Sequence, residues 1–251
     1  MSTDDTTIHR LLPAERGGPL SDEEILRGYA PPDRPWLRAN FIASADGAAS
    51  AGGLSGGLNS PSDKRVFDLL RVGCDAVMVG AGTLRAEGYG PMVMTARQRE
   101  AREAAGRADH PVLVAVSGRL DLDPDHPMFT DAPVRPYVLT HAGAPAGARR
   151  ALERVATVLV AGSDGIDIRA GRDALADAGL RHVLCEGGPH LLGTVAGAGL
   201  LDELCLTVAP MLAGPGPGRI VAGTPFDLIR YRLAQVLRSE RDELFLRYLT
   251  P

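Results

Sequence analysis

The sequence contains few cysteines, a single lysine and no CxxC pair, and these shortages narrow the classes of protein to consider. The three cysteines, Cys74, Cys185 and Cys205, form an odd set, which argues against a secreted domain stapled by disulfides. Each lies in or beside an apolar segment, so we expect small buried hydrophobic side chains in a reducing compartment. Lys64 is the one lysine among 27 basic residues, which we attribute to a compositional preference for arginine.

Long apolar runs and an excess of positive charge are absent as well. No run approaches the ~18 apolar residues that a membrane-spanning helix needs. The polar stretch Met1–Arg10 lacks the apolar centre of a secretory signal. The formal net charge of −4 disfavours binding to nucleic acid or to anionic membranes, because such surfaces would repel the chain. We expect a cytoplasmic protein with no nucleic-acid or membrane partner.

Motifs for several kinds of chemistry are also missing. The chain has no Walker lysine loop and no HxE with PCxxC, so a P-loop kinase and a zinc deaminase have no support. His182, Cys185, Glu186 and His190 lie close in sequence, but His182 and Cys185 should point to opposite faces of a strand. No second cluster completes a tetrahedral set, and we predict no metal site.

The first 34 residues differ in character from the rest of the chain. They are polar and contain several prolines, and we interpret residues 1–34 as an N-terminal extension. The extension is predicted to contain one helix, Ser21–Gly28, which begins at an N-cap serine with Glu24 three residues later. Residues 35–251 are predicted to form a single domain, since a chain with 45% hydrophobic residues at this length can bury one large core.

Apolar segments alternate with helical patterns throughout this predicted domain. Strands are predicted at Trp36–Ala45, Asp75–Val79, Val112–Val116, Tyr137–Thr140, Thr157–Ala161, His182–Cys185, Glu203–Val208, Tyr231–Ser239 and Glu243–Leu249. Helices are predicted at Lys64–Val72, Ala96–Ala108, Ala148–Val155, Arg169–Ala178 and Leu191–Ala198. This order predicts an α/β fold of three layers, with helices on both faces of a mostly parallel mixed sheet of about eight or nine strands. The last two strands are predicted to form an antiparallel C-terminal edge.

Two glycine-rich turns follow predicted strands of the parallel sheet. The turn Gly80–Thr83 comes after Asp75–Val79, and the turn Glu186–Gly188 comes after His182–Cys185. Glycines let the backbone approach a ligand, and the helix that follows offers unpaired N–H groups to an anion. The two turns together predict a dinucleotide site, although Arg85 stands where a GxGxxG fingerprint has its third glycine. Taken singly, each is also consistent with a tight strand-to-helix connection.

Polar residues follow two other strands at the same edge of the sheet. Ser44 and Asp46 end the first strand, where open α/β folds bind ligands. Ser117 and Arg119 follow the strand Val112–Val116, and a hydroxyl beside a guanidinium suits a phosphate monoester such as the 2′-phosphate of NADPH. An Asx-turn at Asp46 and a solvated turn at Arg119 are the alternatives.

Together these segments resemble the RibD C-terminal family, the reductase domain of riboflavin biosynthesis, which has a dihydrofolate-reductase-like fold. The resemblance runs from about Trp36 to Leu249, and four motifs carry it. They are Ser-Ala-Asp-Gly at 44–47, Asp-Ala-Val-Met-Val-Gly-Ala-Gly-Thr at 75–83, Glu-Gly-Gly at 186–188 and the segment Asp202–Gly214. Four motifs in the same order over most of a chain do not arise readily by chance.

The resemblance implies an NADPH-dependent oxidoreductase that acts as a homodimer and transfers a hydride to a small pyrimidine. The implied enzyme is most like 5-amino-6-(5-phosphoribosylamino)uracil reductase. Asp46 is implied to face the reacting carbon, where it would orient the substrate or, if burial raises its pKa, assist protonation. Cofactor contacts are implied for Gly80, Gly82, Thr83, Ser117, Glu186, Gly187 and Gly188. Ser44 and Arg119 are predicted to contact the cofactor as well.

The sequence departs from the family on the substrate side. Gly-Leu-Asn-Ser-Pro at 57–61 replaces Trp-Ile-Thr-Gly-Pro, Lys64 replaces an arginine, and Arg-Ala-Glu-Gly at 85–88 replaces Ala-Asp-Asp-Pro. By position, we expect substrate contacts from Asn59, Lys64, Arg85 and Glu87. The motifs assigned to the cofactor are intact. More residues therefore support a reductase activity than support any particular pyrimidine as the substrate.

Three other functions stay open at this stage. A dihydrofolate or pterin reductase would direct a carboxylate such as Asp46 at the pteridine ring. A non-catalytic NADPH-binding protein would bind the cofactor without oxidising it. A sugar-phosphate isomerase on the same fold has only fold analogy behind it.

Overall fold

A computed structural model of the protein describes residues 6–13 and 18–251. The strands are β1 (Ile8–Leu12), β2 (Trp36–Ser44), β3 (Ala76–Gly80), β4 (Val112–Val116), β5 (Tyr137–Thr140), β6 (Thr157–Val160), β7 (His182–Gly187), β8 (Glu203–Ala209), β9 (Arg232–Ser239) and β10 (Leu244–Leu249). The α-helices are α1 (Asp22–Gly28), α2 (Pro61–Val72), α3 (Ala81–Ala86), α4 (Ala96–Ala104), α5 (Pro127–Thr130), α6 (Ala146–Glu153), α7 (Ile168–Asp177) and α8 (Pro189–Gly197). Within the described ranges, no helix is both long and apolar enough to cross a membrane.

The strands form one sheet in the order β1-β9-β10-β8-β2-β7-β3-β4-β5-β6. All pairings from β8 to β6 along that order are parallel, and those of β10, β9 and β1 are antiparallel. The continuous apolar sequences of β3 and β4 fit the middle of the sheet, where both faces are covered. The predicted mostly parallel mixed sheet with an antiparallel C-terminal edge is confirmed.

Two apolar cores lie on opposite faces of this sheet. On one face, α2 packs through Val66 and Leu70. On the other face, α8 packs through Leu192 and Val195. Each helix follows a strand and returns over the sheet, so the carboxyl ends of β2, β3, β4 and β7 share one edge. This three-layer arrangement was predicted, and it gathers the polar strand ends in one place.

Part of the N-terminal extension forms a strand of the sheet, which its sequence does not predict. The predicted helix is present as α1 with its capping box, in which the Glu24 N–H donates to Ser21 Oγ at 3.2 Å. β1 pairs with β9 and buries Ile8 completely, which adds a tenth strand. Ile-His-Arg-Leu-Leu lacks a strand's polar–apolar alternation, and the partner that stabilises it lies more than 200 residues away in sequence. Residues 1–5 and 14–17 of the predicted extension lie outside the described residues.

Candidate active site

Two connected cavities open at the carboxyl ends of the parallel strands. The larger, called here the main cleft, has a volume of about 780 Å³ and extends over the ends of β2, β3 and β7. The smaller, called here the side cavity, has about 500 Å³ and lies beside β3 and β4. Gly80, Gly82, His190 and Leu191 line both, so the cavities meet where α3 and α8 begin. Clefts of this size at this edge of an α/β sheet accommodate small organic ligands.

The two glycine turns touch each other where the cavities meet. A Cβ on Gly188 would lie 2.4 Å from the Thr83 hydroxyl oxygen, so the close approach of the turns requires glycine there. Gly187 has a φ of +94°, and a Cβ on it would lie 2.7 Å from the Phe41 ring. The main chain of Gly187 and Gly188 therefore packs directly against the side chains of Phe41 and Thr83, a closeness that only glycine permits.

A hydrogen-bonded ion pair forms one wall of the main cleft. Arg71 donates two hydrogen bonds to the Glu186 carboxylate, each 2.7 Å long, and the Tyr89 hydroxyl donates a third at 2.8 Å. The guanidinium also stacks on Phe67, 4.2 Å from the ring centroid. Because the Glu186 side chain is 1% exposed and bound on both oxygens, the pair fixes α2 to the end of β7.

The side cavity carries an unpaired positive charge. Arg119 is exposed at its rim, and within the described chain no hydrogen bond or ion pair engages this guanidinium. Ser117 is buried and its hydroxyl accepts the Leu120 N–H at 2.9 Å, which holds the turn that presents Arg119. Arg85 also lines this cavity and bonds the Asp121 carbonyl. An anionic group entering the side cavity would find Arg119 free to bind it.

Comparison with known proteins identifies the family that has this arrangement. The family model described as the RibD C-terminal domain matches residues 35–245. The chain belongs to the RibD C-terminal domain family. It is 30% identical over 182 residues to the 2,5-diamino-6-ribosylamino-4(3H)-pyrimidinone 5′-phosphate reductase of Archaeoglobus fulgidus, covering 72% of this chain and 83% of that protein. A protein of the same name from Methanothermobacter thermautotrophicus is 29% identical over 209 residues, covering 82% of this chain and 91% of the relative.

A solved structure supports the same fold assignment. The crystal structure of a pyrimidine reductase-like protein from Corynebacterium diphtheriae matches with a TM-score of 0.83 at 29% identity, covering 92% of this chain and 99% of that one. The predicted dihydrofolate-reductase-like α/β fold is confirmed. Membership of a reductase family of riboflavin biosynthesis also implies a nicotinamide cofactor.

The RibD C-terminal fold of this chain has residues that fit such a cofactor. A Cβ on Gly82 would meet no heavy atom within 4 Å, so this glycine faces open space where the cavities meet. Gly188 lines the main cleft beside it, and the unpaired Arg119 lines the side cavity. Main-chain N–H groups followed by a free guanidinium match the phosphates of a dinucleotide.

Asp46 has a different environment from the one expected. Its carboxylate accepts hydrogen bonds from the Ser44 hydroxyl and from the N–H groups of Ala213 and Gly214, the last two at 3.1 and 2.9 Å. These bonds, the one from Ser44 foremost, lower the pKa of Asp46 below its ordinary value. The condition for Asp46 to assist protonation, a pKa raised by burial, is therefore not met. Neither Asp46 nor Ser44 is among the described residues that line the cavities, and Asp46 ties the end of β2 to the loop after β8.

The structure separates the predicted substrate residues from one another. Asn59 and Glu87 line the main cleft, whereas Arg85 lines the side cavity with the predicted cofactor residues. Lys64 lines neither; its ammonium lies 2.8 Å from Asp68, and the lysine side chain is 64% exposed. Lys64 is outside the cavities because it lies on the solvent face of α2.

Most of the predicted cofactor residues line the two cavities. Those that line the main cleft, the side cavity or both are Gly80, Gly82, Thr83, Ser117, Arg119, Glu186 and Gly188. Gly187 lines neither cavity but shapes the turn through its φ. Among the described residues, no group of three or more histidine, cysteine or acidic side chains is placed to hold a metal ion.

Sequence reasoning missed one face of α2. Asp63, Phe67 and Arg71 all line the main cleft. Their spacing of four residues places them on one side of a helix, and this is the signal that would have found them. Asn40 and Tyr89 also line the cleft, but nothing local in the sequence marks them, since their approach depends on how the sheet and the loop after α3 pack.

Proposed function

We propose that the protein is an NADPH-dependent reductase that converts a phosphorylated ribosylamino pyrimidine into its ribitylamino form. The junction of the two cavities at the glycine turns carries this proposal, because it offers adjoining places for a cofactor and a substrate. The relatives from A. fulgidus and M. thermautotrophicus are named as reductases of a diamino-pyrimidinone, and this supports a substrate of that class. The corresponding amino-uracil, expected from the sequence, is the second member of the class.

In this proposal, one set of residues binds the cofactor and another positions the substrate. Main chain at Gly82 and Gly188 would hold the cofactor phosphates, and Arg119 would bind the phosphate that distinguishes NADPH from NADH. When bound, the reduced nicotinamide supplies a hydride. The rigid wall formed by Arg71 and Glu186 would fix the pyrimidine in the main cleft and exclude water from the reacting atoms.

Stopped-flow absorbance of NADPH tests this proposal with each candidate substrate. We expect rapid oxidation with the ribosylamino diamino-pyrimidinone phosphate or with the corresponding uracil, and none with dihydrofolate. Oxidation by dihydrofolate alone would favour a pterin reductase. Binding of NADPH without oxidation by any of these compounds would favour the non-catalytic function.

Replacing Arg119 by alanine is expected to weaken NADPH binding by about tenfold, equivalent to about 1.4 kcal/mol. NADH binding should change little, because NADH lacks the 2′-phosphate that the guanidinium would contact. Calorimetric titration of both cofactors measures the difference. Equal losses of affinity for NADPH and NADH would show that Arg119 does not bind the 2′-phosphate.

We also propose the homodimer and the cytoplasmic location that the sequence led us to expect. Sedimentation velocity of the purified protein tests the first, with a single species of twice the chain mass as the expected result. A species of one chain mass at micromolar concentration would contradict it.

A further inference from the structure

Asp63 is a buried carboxyl that lines the main cleft. It lies in the first turn of α2, is 7% exposed and lines the cleft together with Asn40 and Phe67. The Thr207 side chain, on β8, hydrogen-bonds its carboxyl group. Within the described residues no cation pairs with Asp63, and Arg71, eight residues later on the same helix, pairs with Glu186.

The surroundings of Asp63 favour its neutral form. Burial raises the pKa of Asp63 to about 6, the hydrogen bond from Thr207 opposes this shift, and the charge of Glu243 adds to it. Glu243 is itself buried, in the turn before β10, and accepts the Ser239 hydroxyl at 2.6 Å. A carboxyl with this pKa is a proton donor for part of the population near neutral pH, as general acids in enzymes are.

The sheet order places Asp63 on the substrate side of the glycine turns. Thr207 lies on β8, which neighbours β2, whereas the side cavity lies beside β4. The glycine turns follow β3 and β7, between these two positions. A cofactor that runs from the side cavity over the turns therefore ends in the main cleft, and Asp63 lies beyond that end.

We propose that Asp63 contacts the substrate in the main cleft and donates the proton that completes its reduction. This inference rests on the proposed function. In the ring-opened form of the substrate, the carbon of the C=N bond gains a hydride from the cofactor, and the π electron pair of that bond passes to the nitrogen. The nitrogen takes the proton from the Asp63 carboxyl, which leaves a C–N single bond with an N–H group. The carboxylate then regains a proton from solvent.

The variant Asp63→Asn tests the proton donation. Turnover is expected to fall by about 100- to 1000-fold, as loss of a general acid usually causes. In the wild type, turnover should decline as the pH rises above about 6, since only the protonated acid is active. Asp63→Asn should not show this decline and should bind NADPH as the wild type does. Its melting temperature at pH 8 should be no lower than that of the wild type, because the variant has no buried charge at this position. Asp177→Asn, at the exposed end of α7, is the matched control and should change none of these properties.

Two neighbouring substitutions should move the titration of Asp63 in opposite directions. Thr207→Val removes the hydrogen bond that lowers the pKa of Asp63, so the titration should move to higher pH. Glu243→Gln removes the charge that raises this pKa, so the titration should move to lower pH. Carbon-13 NMR of the Asp63 carboxyl in the cofactor-free protein measures both shifts independently of activity, and the pH profile of turnover should follow them.

The outcomes separate this inference from the proposed function. An active wild type beside an Asp63→Asn variant with unchanged turnover and pH profile would overturn the role of Asp63 alone. An Asp63 carboxyl that titrates like an ordinary aspartate would do the same. A wild type that oxidises no NADPH with any ribosylamino pyrimidine would overturn both.

Discussion

Replacing Glu203 by alanine is expected to lower the free energy of unfolding by about 3–5 kcal/mol. The Glu203 side chain is fully buried and accepts hydrogen bonds of 2.7 Å from both Trp36 Nε1 and Arg247 Nε. It also pairs with Arg38, whose side chain is 5% exposed. Without this carboxylate, two guanidinium groups stay in the interior with no counter-charge, and their desolvation is no longer offset.

Urea denaturation measures this loss, with Arg238→Ala as the control. The Arg238–Asp242 pair is also short, at 2.6 Å, but its side chains are 48% and 69% exposed. Solvent screens such a pair, so its loss should cost less than about 1 kcal/mol. Similar losses in the two variants would show that the buried network does not stabilise the fold as described. Glu203→Gln, which keeps the shape and part of the hydrogen bonding, should fall between them.

Replacing Gly82 by alanine is expected to reduce NADPH affinity by about 10- to 100-fold, or roughly 1.4–2.8 kcal/mol. The new methyl group would meet no protein atom within 4 Å, so the fold tolerates it. Alanine even favours a helix over glycine by up to about 1 kcal/mol. The methyl group would, however, occupy the space where the main cleft and the side cavity meet. The variant should therefore be as stable as the wild type and defective in binding.

Gly147→Ala is the matched control for this prediction. Gly147 lies in α6, and a Cβ on it likewise meets nothing within 4 Å. It is not among the described residues that line the main cleft or the side cavity, so NADPH affinity should not change. Fluorescence titration of NADPH and thermal denaturation of both variants complete the comparison. Wild-type affinity in Gly82→Ala would place the cofactor away from this junction.

Most of the fold follows from local patterns in the sequence. β3 and β4 are continuous apolar runs, and the helices carry apolar residues at helical spacing, so their positions are predicted to within a few residues. The helix expected after the Gly80–Thr83 turn is present as α3, but its bounds are not predicted, because it has six residues and includes Gly82, which weakens any helical signal. β1 escapes because its strand character depends on pairing with β9.

The site is less predictable because contacts across the fold decide the role of each side chain. The glycine turns are recognisable, since their function depends on backbone shape and needs few neighbours. The sequence does not show that the Asp46 carboxylate is hydrogen-bonded, because the N–H groups that bind it belong to Ala213 and Gly214, more than 160 residues later. No sequence pattern marks Asp63, which precedes the predicted helix Lys64–Val72, and its burial beside the cleft depends on packing against Thr207.

Transfer of deuterium tests the central claim most directly. NADPH that carries deuterium at both C4 positions is supplied to the wild type with the ribosylamino pyrimidine phosphate, and the product is analysed by mass spectrometry and NMR. The account predicts one deuterium per product molecule, on the former C=N carbon of the ribityl group. A reduced product without deuterium, or no reduced product at all, would contradict it.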